Sequence, residues 1–384
     1  MNLKICKYRL INRYSFIFLS LLFLNCVGSI KIVDINKNDA NLSKKEDRKI
    51  YNWSISDSLI LLWESEIDGG INYNSFSAIG DYIFYGSLAG KVQAINSSSG
   101  KILGKLRFNG EIFSSTIINY PQLIFVVNKK NKESEVYFYD FYSQKILSKI
   151  TLSSIIKSDI IKLDDGFILA LVNGEVLKFN FKGKIIWKTE LKVIAYSQPT
   201  AYNDKLIIGD DKGNIWFLSL EDGKILGKTT IESAVRGGFE ICKQKICALG
   251  TDGSLYLINS NNLNLEWKYK TNYKLRNKPI AINDSLLILS SLTGEIEKID
   301  VINQKSIWKI KTNGIFIANP LIFDNLIIQP DLNKKILFIN LSDGKIKKEK
   351  LFEERVKTIF LFKEDKILVG LDYGKIKAYK ISKY

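Results

Sequence analysis

LIIGDDKGNIWFLSLEDGKIL, residues 206–226, decides how the chain folds. Leu206-Ile207-Ile208 is a short β-prone run that stops at Gly209, and Gly213 opens a second run, Asn214 to Leu218. Glu221-Asp222-Gly223 reads as a turn, because glycine takes positive φ without a steric penalty. Lys224-Ile225-Leu226 then begins a further strand. Just upstream, Ala201-Tyr202 and Lys205-Leu206 flank Asn203-Asp204, a two-residue hairpin loop. The unit thus holds four short strands and no sustained helical period.

The same unit recurs. In-phase copies begin at positions 90, 134, 174, 213, 253, 294 and 334, and a shortened eighth, GKIKAYKISKY, begins at 374. The spacings are 44, 40, 39, 40, 41, 40 and 40 residues, a regularity that marks a repeat architecture. Four strands per forty residues describe a propeller blade. A solenoid would also repeat, but one detail decides against it. The eighth copy stops before the strand that carries Trp187, Trp267 and Trp308 elsewhere, and that strand, Leu61-Leu62-Trp63-Glu64, stands alone ahead of the first copy. An N-terminal strand that completes the C-terminal blade closes a ring and removes two open edges. The expected fold is all-β: an eight-bladed β-propeller over 59–384, with Trp63, Trp187, Trp267 and Trp308 docking one blade on the next.

The chain contains no histidine, so no Ser-His-Asp or Cys-His relay and no imidazole metal site is available to it. Its formal charge is +16. Lys4, Lys7, Arg9 and Arg13 fall in a segment expected to be removed, which leaves about +12 (16 minus 4). The lysines are scattered and no nucleic-acid motif accompanies them, so no nucleic-acid partner is expected.

Residues 1–25 read as a signal peptide: four cations, then the apolar run Tyr14 to Leu24, too short for a transmembrane helix. Cys26 follows at once. This arrangement resembles a bacterial lipobox and implies that Cys26 carries a lipid, although Phe23-Leu24-Asn25 lacks the usual small residue before the cysteine. Residues 26–58, rich in Lys, Asn, Asp and Ser, are expected to be a polar tether.

The repeat resembles the quinoprotein-type (PQQ-like) repeat, a strand, Gly-x-[LIV]-x-[AL]-[LIV], a turn and Gly-Lys-x-x-Trp, over about 85% of the chain. Two families share it. Quinone-dependent dehydrogenases bind a cofactor over the funnel with a calcium held by Glu, Asn and Asp, and carry adjacent cysteines. This chain has no adjacent cysteines and near-minimal blades, so no cofactor is expected. The chain is more similar to the BamB family of outer-membrane-assembly lipoproteins. That resemblance implies a non-catalytic scaffold, lipid-anchored on the periplasmic side of the outer membrane, monomeric within a hetero-complex. Its implied partners are a BamA-like protein and other assembly lipoproteins. The family's partner loop, Leu-x-Leu-Arg-Gly, falls on Ser233 to Gly237, which implies contact through Val235, Arg236 and Gly237. The family's acidic pair in the next loop is replaced by Lys274 and Arg276, a reversal of charge.

Two further expectations concern side chains. Aligning Cys247-Ala248-Leu249-Gly250 with Leu206-Ile207-Ile208-Gly209 sets Gln244-Lys245 at a hairpin loop and Cys242 opposite Cys247, either as a disulfide or as buried free thiols. A glycan- or peptidoglycan-binding propeller is the alternative function. It predicts that Tyr73, Phe76, Phe113, Tyr196, Phe239 and Phe316 cluster at one mouth of the ring.

Overall fold

The computed structural model describes residues 28–30, 32, 55–362 and 366–383, without the side chains of 55–58, 73–75, 361–362 and 381–383. Among the described residues thirty-two strands form eight antiparallel four-stranded sheets. Seven sheets use four consecutive strands. Blade 1 runs from Ile71–Ile79 to Ile102–Arg107 and blade 2 from Ile117–Asn119 to Lys145–Leu152. Blade 3 ends at Ile185–Glu190 and blade 4 at Ile225–Thr230. Blade 5 is Val235–Cys242, Lys245–Gly250, Ser254–Asn259 and Leu265–Lys270. Blade 6 ends at Lys305–Lys311 and blade 7 at Ile346–Leu351.

Blade 8 is the exception. Its first three strands are Val356–Phe362, Lys366–Leu371 and Lys375–Lys383, and its outer strand is Ile55–Glu66 from the other end of the chain. Ring closure by an N-terminal strand is therefore present, and the strand begins at Ile55, four residues ahead of the expected boundary.

The second and third strands of each blade are buried on both faces. Lys205–Gly209 and Ile327–Ile328 with Ile336–Ile339 show why: apolar residues run almost without a break, as buried strands require. The fourth strands alternate with solvent. The apolar clusters lie between blades, for example Phe84 and Leu106 of blade 1 against Phe125 and Tyr139 of blade 2.

The indole of Trp63 in blade 8 donates to the Ser97 carbonyl of blade 1 at 2.8 Å. Trp187 donates to the Leu220 carbonyl of blade 4 and Trp308 to the Leu341 carbonyl of blade 7, both at 3.2 Å. Each ring lies against a turn glycine of the receiving blade: Gly100, Gly223 and Gly344. Trp267 packs on Tyr269 of its own strand, with ring centroids 5.5 Å apart.

Charge pairs tie outer strands to their neighbours. Glu135 opens the third strand of blade 2 and meets Lys129 at 2.6 Å and Lys149 at 2.8 Å. Glu295 holds the same place in blade 6 and meets Lys311 at 2.5 Å. Burial pushes each carboxyl upward, but these ammonium groups and neighbouring hydroxyls outweigh it and hold both at about 2. The folded chain therefore binds fewer protons here than the unfolded chain, so these groups stabilise above pH 4.5 and lose that contribution as pH falls toward 2. The thermal midpoint is expected to drop over that window, and by less in the Glu135→Gln, Glu295→Gln double variant. Parallel profiles for the two proteins, read by circular dichroism, would refute the assignment.

The segment expected to be a tether is partly docked. Ile30 forms an antiparallel bridge with Gly104 on the outer strand of blade 1, and Ile30 and Ile32 are buried there. Cys26 and the signal region lie outside the described residues.

Candidate binding face

The links between blades emerge on one face of the ring. In seven of the eight links a buried apolar residue anchors the chain below a more exposed one: Ile112, Ile156, Ala195, Val235, Leu275, Phe316 and Val356 hold equivalent places, whereas in the link from blade 8 to blade 1 Ile71 is followed by the buried Asn72. The next residue is half-buried or exposed, and this column toward the mouth holds Phe113, Lys157, Tyr196, Arg236, Arg276, Ile317 and Lys357. The first strands of neighbouring blades touch, as in blades 8, 1 and 2 and in blades 4, 5 and 6, so this column circles the central opening.

Blades 4 to 6 concentrate unpaired cations in it. Arg236 is exposed and its guanidinium sits 5.7 Å from the centre of the Tyr196 ring. Such a contact orients the planar group without consuming its hydrogen-bond donors. Lys274 and Arg276 are exposed on the next link. Among the described residues none of these three cations forms an ion pair, whereas Lys157 approaches Glu111 at 3.5 Å and Lys357 meets Asp372 at 3.2 Å.

The backbone beneath is rigid. A Cβ at Gly237 would lie 2.5 Å from the Arg276 carbonyl oxygen, so only glycine lets blade 5 approach the next link so closely. On the other side Gly238, at φ 131°, abuts the Gln198 side chain. Asn277 is buried and donates to the carbonyls of Phe316 and Ala318 at 3.2 and 3.3 Å, which fixes the base of the Arg276 link.

Of the partner loop inferred by resemblance, the structure presents only Arg236 to solvent. Val235 is 1% exposed and packs with Phe239 and Ile246 in the blade 4–5 core, so it offers no apolar contact to a partner. The strand alternation that buries it is the same one that buries Leu275 between Lys274 and Arg276. Gly237 is a spacer between loops.

The cysteine register also needs correcting. Cys242 pairs with Lys245, and Cys247 lies opposite Glu240. The hairpin turns at Lys243-Gln244, with Lys243 at φ 57°, one residue earlier than the alignment places it. The two cysteines are diagonal neighbours on one face and are buried free thiols. Burial, and then the adjacent Cys242 thiol, push the Cys247 thiol upward, away from thiolate reactivity.

The aromatic mouth required for glycan recognition is not assembled. Phe76, Phe239 and Phe316 are buried, Phe113 is half-buried, and only Tyr196, 39% exposed, faces solvent. The Tyr73 side chain lies outside the described residues. Among the described residues no three His, Cys, Asp or Glu side chains converge to hold a metal, and the thiols of Cys242 and Cys247 sit inside blade 5.

The fold and its repeats define the chain as an eight-bladed propeller of quinoprotein-type repeats. Within that class it resembles BamB. A family model described as outer membrane protein assembly factor BamB matches residues 132–228. The crystal structure of BamB from Moraxella catarrhalis superposes with a TM-score of 0.71 at 13% identity, covering 84% of this chain and 100% of that one. The crystal structure of the computationally designed Ika8 protein superposes equally, with a TM-score of 0.71 at 11% identity over 85% of this chain and 100% of its own. Identity this low shows the fold alone. No curated protein sequence matches the chain.

Proposed function

We propose that the chain is a non-catalytic scaffold, lipid-anchored through Cys26 on the periplasmic side of the outer membrane. It docks a BamA-like barrel-assembly protein on the inter-blade face of blades 4 to 6. The observation that carries this reading is the unpaired trio Arg236, Lys274 and Arg276 on adjacent, braced links. Arg236 lies in the loop that the BamB resemblance marks, and the matched family model covers the blades just before it. Three neighbouring cations without carboxylates of their own call for an acidic partner surface. The guanidinium of Arg236 supplies directed, two-pronged hydrogen bonds to a carboxylate.

Capture from solubilised native membranes, followed by mass spectrometry, tests this. The wild-type chain is expected to retain a BamA-like barrel protein. Arg236→Glu, which leaves the blade core untouched, is expected to weaken that capture by about tenfold or more. Equal recovery with both proteins would remove the docking face, and recovery of no barrel-assembly component would remove the assembly role.

A further inference from the structure

Residues 28–30 and 32 fill a groove on the rim of the ring at the seam of blades 1 and 2. Ile30 bridges Gly104, and the Lys105 amide donates to the Ser29 carbonyl at 3.2 Å. Tyr139, on the third strand of blade 2, completes the hold. Its hydroxyl accepts the Ile30 amide at 2.8 Å and donates to the Ile30 carbonyl at 3.0 Å, so one phenol engages both backbone groups of a single residue. Ile30 and Ile32 enter the cluster of Phe84, Leu106 and Phe141.

The groove exists because residue 104 is glycine. A Cβ there would lie 2.4 Å from the Ser29 carbonyl oxygen and 2.7 Å from the Ile30 Cα. Blade 4 has glycine at the equivalent place, Gly227, but Leu263 of blade 5 lies over it. Blade 1 is thus an emptied tryptophan position taken up by the chain's own N-terminal segment.

We infer that this contact is a clasp that sets how the propeller meets the membrane. The inference rests on the reading above that Cys26 carries the lipid. Cys26 is two residues from Gly28, so its reach from the clasp is at most roughly 7 Å. A free tether from Cys26 to residue 58 would instead wander over roughly 30 Å and allow every orientation. With the clasp closed, the bilayer lies at the rim of blades 1 and 2. In a ring of eight the blade 5–6 link with Lys274 and Arg276 is four blades away and the blade 4–5 link with Arg236 is three, so the cations sit away from that rim, clear of the head groups.

The test uses the full chain, made with its leader in bacteria and placed in vesicles of phosphatidylethanolamine and phosphatidylglycerol that carry an acceptor dye. A donor is attached at Arg107→Cys, beside the clasp, or at Lys274→Cys; the native Cys242 and Cys247 are buried. Transfer from position 107 is expected to exceed that from 274 by at least about threefold. Tyr139→Phe is expected to shrink that ratio, and Gly104→Trp, which fills the groove, to abolish it. Equal transfer from the two positions in an otherwise wild-type, acylated chain would overturn the inference. Intact mass reads acylation separately, and slow hydrogen exchange at the Ile30 amide, lost in Tyr139→Phe, reads the clasp without reference to lipid. An unacylated chain with a protected Ile30 amide would sink the anchor and the orientation built on it but keep the clasp. An acylated chain whose Ile30 amide exchanges freely would sink the clasp alone.

Discussion

Trp63→Ala is expected to lower the stability of the propeller by about 4 kcal/mol, the upper part of the range for emptying a buried aromatic site. Three features set the size. The indole is 7% exposed, so nearly all of its area returns to water. Its ring lies against Gly100, whose backbone cannot collapse into the space without breaking the turn from Asn96 to Gly100. The Ser97 carbonyl loses its indole donor. Trp63 also stands on the closing strand, which runs on through residues 67–70 into blade 1 and is joined to the rest of blade 8 by its pairing with Lys375–Lys383 and not by chain continuity. Removing residues 55–66 altogether would expose the edge of Lys375–Lys383 and is expected to yield no folded monomer. Trp267→Ala provides the comparison. That ring is half-buried and packs on Tyr269, and its loss is expected to cost less than half as much. Urea unfolding followed by far-ultraviolet circular dichroism gives both values. Equal costs would mean that the ring joint at Trp63 carries no special weight.

Much of this was legible in the chain because the governing interactions are local and repeated. Two runs such as Leu206–Ile208 and Ile215–Leu218 with a glycine-bearing turn announce their strands wherever they recur, and the misplaced Trp63 strand announces the closure. Reading failed where one residue of phase mattered. Alignment of the apolar columns sets Cys242 opposite Cys247, but the turn closes at Lys243-Gln244, and a shift of one residue changes every partner. The matched motif puts Val235 at a partner surface, whereas its own alternation with Arg236 marks it as an inward residue, like Leu275 beside Arg276. The clasp was invisible for another reason. Ile30 and Ile32 fall in a brief apolar alternation, VGSIKIVDI at 27–35, ahead of a polar segment, and what holds them is Gly104 and Tyr139, more than seventy and a hundred residues away. Nothing local distinguishes a glycine that leaves a groove open from one that a neighbour fills.

Gly223→Ala is expected to cost about 2–4 kcal/mol, and the cause is space more than backbone conformation. Gly223 has φ 73°, and an added Cβ would lie 2.6 Å from the Trp187 ring and 2.8 Å from the Thr189 hydroxyl. Positive φ alone is tolerated at this turn. Gln144 in blade 2, Leu263 in blade 5 and Gln304 in blade 6 occupy the same position at φ 54°, 62° and 52°. What separates these turns is the residue arriving from the previous blade. Where an indole docks, at Trp63, Trp187 and Trp308, the turn carries Gly100, Gly223 and Gly344. Where the arriving residue is Gly104 or Gly227, the turn carries Gln144 or Leu263. At these five joints bulk on one side is matched by its absence on the other; at the joint of blades 5 and 6 the turn carries Gln304, and the arriving Trp267 packs on Tyr269 of its own strand instead. A double-mutant cycle separates the two causes: if the clash dominates, Gly223→Ala should cost clearly less in a Trp187→Ala background, with a coupling of about 1 kcal/mol or more. Gly227→Ala, at ordinary φ and facing only the movable end of Leu263 at 2.9 Å, should stay within about 0.5 kcal/mol of the parent. An additive cycle would assign the whole cost of Gly223→Ala to its backbone angle and leave the pairing of indole and glycine without energetic meaning.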